Sequence, residues 1–187
     1  MSRFIDAGAV FAGWVGLGVA LVTIIAVALV IPIQGLVFLL ALPIGLLLGW
    51  YANARAVRYR PRWRVLANAG YAGLVTGLGM ALMYIGLRLL FVYADSGQMP
   101  DGSRLECDTG PQCTYARFVE AGRADELAGQ GITDAASFEA ALIRELVLLG
   151  SGLVVVVTGG SLASGAWRAL RAEPDGALSA EQPELPG

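Results

Sequence analysis

The chain has no histidine and no lysine, and only two of its 187 residues are cysteine. The missing imidazole removes the usual axial ligand of b-type haem and a frequent ligand of zinc and copper. A haem- or copper-bearing respiratory core subunit is therefore not expected. No histidine base and no G-x-S-x-G elbow are present for a hydrolase. Without lysine there is no glycine-rich phosphate loop of the usual kind. Two thiols alone make a poor metal site. The sequence thus predicts no catalytic residue, no metal and no cofactor. Charge is also scarce, at 15% of residues, while 56% are hydrophobic. With a mean hydropathy of +0.64, that balance is foreign to a soluble domain. All 13 basic residues are arginine, which fits a GC-rich genome.

What is present is a set of long uncharged runs. Four approach or exceed the roughly 20 apolar residues needed to cross a bilayer. The reading is an all-α integral membrane protein, a four-transmembrane-helix bundle. Residues 1–6 form an N-terminus, 7–30 the first span, 31–35 a turn and 36–52 the second span. Residues 53–64 form an arginine-rich loop and 65–93 the third span. Residues 94–145 form an acidic loop, 146–167 the fourth span and 168–187 a mostly disordered tail. The Pro32–Gly35 stretch splits the first uncharged run, because one helix of that length would greatly exceed the bilayer. The N-terminal run is too long for a signal-peptide core, so it is read as a retained span.

Arg55, Arg58, Arg60, Arg62 and Arg64 fall within ten residues between apolar spans. In a soluble protein this would suggest a nucleic-acid patch. Between spans it reads as a cytoplasmic loop, because basic residues in short loops stay on that side. Contact with anionic headgroups is its further possible use. With four spans, both termini are then cytoplasmic, in a membrane read as the bacterial plasma membrane. Residues 94–141 lie outside, with nine acids against three arginines.

Small residues recur at multiples of four in every span. Gly16, Gly45, Gly49, Gly73, Gly77 and Gly160 are the expected helix-packing positions. Small faces let helix backbones approach closely where no hydrophobic effect acts between helices. Pro43 should kink the second span. Asn68, Thr76, Thr23 and Thr158 are expected to bond neighbouring helices or their own backbone. Arg88 lies 24 residues after Arg64, about 36 Å along a helix. That places it near the outer interface, as an anchor or a functional charge.

The acidic loop carries both cysteines, Cys107 and Cys113. Five intervening residues with a Gly-Pro turn can bring them to disulfide distance, and an outside location favours the bond. From Thr114 to Leu127 apolar residues approach helical spacing, giving one short amphipathic helix with a break at Gly129–Gly131. Thr133 or Asp134 then caps a long helix from about Asp134 to Leu170. Partners follow from this picture: a lipid bilayer, and a membrane-protein partner or a second copy of the chain. The leading expectation is a non-catalytic structural or accessory subunit of a larger membrane complex. A small oligomeric transporter or channel is the alternative, and a membrane thiol-disulfide oxidoreductase the third.

Overall fold

The structure, a computed structural model, describes residues 4–30, 35–54, 61–99 and 102–171. It is all-helical apart from one isolated antiparallel bridge, Gln98 to Arg104. Helix α1 spans Ala7–Ile25 and runs into a π-helical turn at Ala26–Val30. Helix α2 spans Leu36–Ala54, with Pro43 inside it. Helix α3 spans Arg62–Tyr93, α4 Pro111–Glu120, α5 Ala124–Gly129 and α6 Ala135–Arg171. Among the described residues four helices, α1, α2, α3 and α6, are long and apolar enough to cross a membrane. Large apolar side chains lie bare along them, among them Leu39, Leu82, Leu148 and Val155. In water such a surface would aggregate, whereas in lipid it is solvated.

The chain divides into two compact units, Met1–Gly79 with Leu153–Gly187, and Met80–Gly152. In the first, Ala9, Ala12, Ala52 and Ala72 form a core of small residues, joined by Ile5, Tyr51 and Tyr71. Glycines let the helices approach to backbone contact. A Cβ on Gly45 would collide with the Val157 carbonyl, and one on Gly49 with the Ser161 carbonyl. A Cβ on Gly73 would lie 2.6 Å from Ser161 Cβ, and one on Gly77 3.1 Å from Val154 Cα. On the facing helix, a Cβ on Gly160 would come 3.0 Å from the Leu42 carbonyl. Gly16 faces the Thr76 hydroxyl and Leu48.

Polar residues sit inside this unit. Asn68, Thr76 and Ser161 are fully buried, and Asn53 nearly so. Ser161 Oγ donates to the Ala69 carbonyl at 2.6 Å. Asn53 Nδ2 donates to the Gly49 and Val65 carbonyls, each at 3.1 Å. Asn68 binds Asp6 twice: its Oδ1 accepts from the Asp6 amide at 3.1 Å, and its Nδ2 donates to Asp6 Oδ2 at 2.6 Å. Thr76 and Thr158 differ from the expectation. Their hydroxyls are buried without a hydrogen-bond partner among the described residues.

The second unit departs from the single amphipathic helix read from the sequence. Two helices, α4 and α5, stand there, separated at Ala121–Arg123. Gly122 takes φ +74°, its amide donates to the Val119 carbonyl at 2.9 Å, and the Arg123 amide donates to the Phe118 carbonyl at 3.0 Å. That pairing is a Schellman stop. Gly131, at φ +77°, ends α5 in the same way. Helix α4 also starts earlier than Thr114. Pro111 supplies its first turn, where the missing N–H is not needed. Cys113 therefore lies within the helix, ahead of the Thr114 start expected from the sequence. Helix α6 begins with a capping box: the Ser137 amide donates to Asp134 Oδ1 at 2.7 Å, and Ser137 Oγ accepts from the Asp134 amide at 3.0 Å.

Candidate functional site

In the second unit the chain leaving α3 is fastened to α4 by one carboxylate. Asp95 stands two residues after the end of α3, and only 8% of its side chain is exposed. Its Oδ1 accepts from the Gly97 amide at 2.9 Å and from Arg117 Nη2 at 2.5 Å. Its Oδ2 accepts from Thr114 Oγ1 at 3.1 Å, and its carbonyl from the Gly110 amide at 2.9 Å. A side chain so supplied with donors acts as a clasp between the end of α3 and the start of α4. Arg117 Nη2 also donates to the Gln98 carbonyl at 3.1 Å.

The disulfide lies against the same turn. Cys107 and Cys113 are bonded, with their Cα atoms 5.3 Å apart, and Cys113 is fully buried in the first turn of α4. Gly97, at φ +74°, packs directly under the bond: a Cβ there would come 2.7 Å from Cys107 Sγ. Both the backbone angle and the space require glycine. Behind this clasp, Tyr115 and Phe118 of α4 pack on Phe138 of α6, with ring centroids 6.3 and 5.8 Å apart. Tyr115 donates its hydroxyl proton to the Thr133 carbonyl at 2.8 Å.

Exposed charge pairs decorate this platform. Arg123 grips Glu126 with two hydrogen bonds of 2.8 and 2.9 Å, and its guanidinium lies 4.8 Å from the Phe118 ring centroid. Hydrogen bonding from Arg123 holds the Glu126 carboxyl below its ordinary value. The Ser137 amide and hydroxyl do the same to Asp134. Tyr93 at the end of α3 hydrogen-bonds Glu139 of α6.

Of the residues singled out from sequence, Cys107 and Cys113 meet as a disulfide. The six glycines all lie in the helices of the first unit, at the close approaches described above. Arg88 faces Glu145 across 4.0 Å. Arg62 and Arg64 lie in the first turn of α3, with the Arg64 guanidinium 5.3 Å from the Trp63 ring centroid. Arg55, Arg58 and Arg60 lie outside the described residues, as do residues 31–34 of the turn and 172–187 of the tail, whereas residues 168–171, read as the start of the tail, continue α6 as helix. Asp95 was not singled out, although Asp-Ser-Gly directly after a span is a turn signal. Among the described residues no group of three or more His, Cys, Asp or Glu side chains is placed to hold a metal ion. No family model, curated protein or solved structure matches the chain.

Proposed function

We propose that this protein is a non-catalytic structural or accessory subunit of a larger membrane complex, and that the clasped segment after α3 is its docking platform. The observation that carries this reading is Asp95. Four hydrogen bonds to one residue, with a disulfide beside them, fasten the platform to the end of α3. A catalytic lid must open and close, whereas a docking surface gains from being preorganised. In the first unit, the small-residue faces at Gly45, Gly49, Gly73 and Gly77 are already spent on the chain's own helices. That leaves the platform and the lipid-facing surface for a partner.

In this proposal the platform lies outside the cytoplasm, where a disulfide persists. The arginine-rich 53–64 segment and both termini lie inside, as positive-inside placement requires, and the membrane is a bacterial plasma membrane. A single cysteine introduced at Ser103, which is exposed, should then react with an impermeant maleimide in intact cells. A cysteine at position 60 should react only after permeabilisation.

The deciding experiment is extraction from native membranes in mild detergent, followed by sizing and mass spectrometry. A discrete complex of fixed composition supports the accessory-subunit reading, and a lone monomer or homo-oligomer overturns it. The runner-up is a small oligomeric transporter or channel. Its support is the set of buried oxygens in the first unit that have no hydrogen-bond partner among the described residues, Asn53 Oδ1, Thr76 Oγ1 and Thr158 Oγ1. Ion flux through liposomes holding only this protein would decide for it.

A further inference from the structure

Three polar side chains converge where α3 and α6 pair in the second unit. Tyr84 and Arg88 stand one turn apart on α3, and Glu145 faces them from α6. Arg88 Nη2 is 4.0 Å from Glu145 Oε1, within ion-pair range but too far for a hydrogen bond. The Tyr84 hydroxyl lies in the field of both charges. Tyr84 is only 8% exposed, and its hydroxyl has no hydrogen-bond partner among the described residues. Arg88 Nε is buried in the same condition. Two donors on one helix face, each costly to leave unmade, have no acceptor within hydrogen-bond reach among the described residues.

We propose that Tyr84 and Arg88 bind the phosphodiester of a phospholipid headgroup. The chemistry selects phosphate. A guanidinium offers a planar fork that matches phosphate oxygens, and the phenol adds a neutral donor beside it. Depth selects a headgroup. Arg88 lies about 39 Å along α3 from Arg62, beyond a hydrocarbon core of about 30 Å. Glu145 selects the diester over free phosphate. Its carboxylate, half exposed, repels a dianion at that position more than the single charge of a diester. It also steadies the guanidinium in the unliganded protein.

The test uses the full-length protein in detergent, delipidated and then titrated with phosphatidylethanolamine, with occupancy read by native mass spectrometry. One lipid should remain bound to the wild-type protein. Tyr84→Phe and Arg88→Gln should each lower occupancy about tenfold, the worth of one charge-assisted bond. Should Arg88→Gln fail to fold, Tyr84→Phe decides alone, since it removes one oxygen and no packing volume. Equal lipid retention by wild type and Tyr84→Phe overturns the proposal. Displacement of the lipid by millimolar inorganic phosphate also overturns it, because the site would then belong to a soluble anion.

Discussion

Asn68 of α3 holds Asp6, the residue ahead of α1, through both ends of its amide. The Asp6 side chain does not cap its own helix, and its carboxylate reaches across to α3 instead. A fully buried amide thereby ties the start of the first span to the third. Replacing Asn68 by Ala leaves the Asp6 amide and carboxylate each short of one partner. The expected loss is about 1–3 kcal/mol of stability, measured as a lowered midpoint in detergent unfolding. A double-mutant cycle with Asp6→Ala should show a coupling of about 1 kcal/mol or more. Additive single effects would mean that the pair contributes nothing of its own.

The glycines separate into two kinds, and substitution should tell them apart. Gly45 and Gly49 face the backbone of α6, so an added methyl has nowhere to go. Gly45→Ala and Gly49→Ala should each cost about 1–3 kcal/mol through overpacking. Gly18 and Gly159 have open space where a Cβ would stand. There Ala should leave stability unchanged or raise it by up to about 1 kcal/mol, since Ala favours a helix over Gly. Equal effects at all four positions would refute close packing as the reason for the glycines in α2.

The four apolar helices were legible because a bilayer demands a length and a composition together. Their ends were less so. The apolar run of the third span begins at Val65, but the helix begins at Arg62, because long arginine stems can follow a helix through the interface. The start of α6 was legible from Asp134 as a capping residue. Gly122 carried a stop signal that apolar spacing alone passed over. The π turn at Ala26–Val30 has no residue type that announces it. Asp95 was hidden for another reason. In an acidic stretch one aspartate looks like any other, and its role depends on Arg117, 22 residues away. The disulfide was readable from spacing, but its seat on Gly97 required the fold.

The cap of α6 gives a pH dependence. Ser137 hydrogen bonds hold the Asp134 carboxyl below its ordinary value. A depressed carboxyl contributes stability that is present above its unfolded value and lost as pH falls through its folded one. Helix α6 should therefore fray at its Asp134 end on acidification below the usual carboxylate range, and remain closed at neutral pH. The protection of the Ala136–Phe138 amides, measured against the intrinsic exchange rate at each pH, should fall over that window. In Asp134→Ala the same amides should be poorly protected at every pH, and a pH-independent wild-type protection would rule the cap out.

Replacing Cys107 and Cys113 by Ser separates a structural bond from a reactive one. The bond clips a short loop and seats on Gly97, beside the turn that Asp95 fastens. Its loss should cost about 2 kcal/mol, less than a longer loop would give, and the cost should fall on one region. Amide exchange and protease cutting should increase between residues 95 and 120, with little change along α1 and α2. Gly97→Ala should reproduce part of this effect with both cysteines present, because the new Cβ meets Cys107 Sγ at a backbone angle that alanine resists. A redox pair predicts something else: the double Ser variant would keep its fold and its protection while losing oxidation of a dithiol substrate. Regional loosening in both variants, with no oxidase activity in the wild type, would leave the bond as the fastening of a docking surface and remove the oxidoreductase reading.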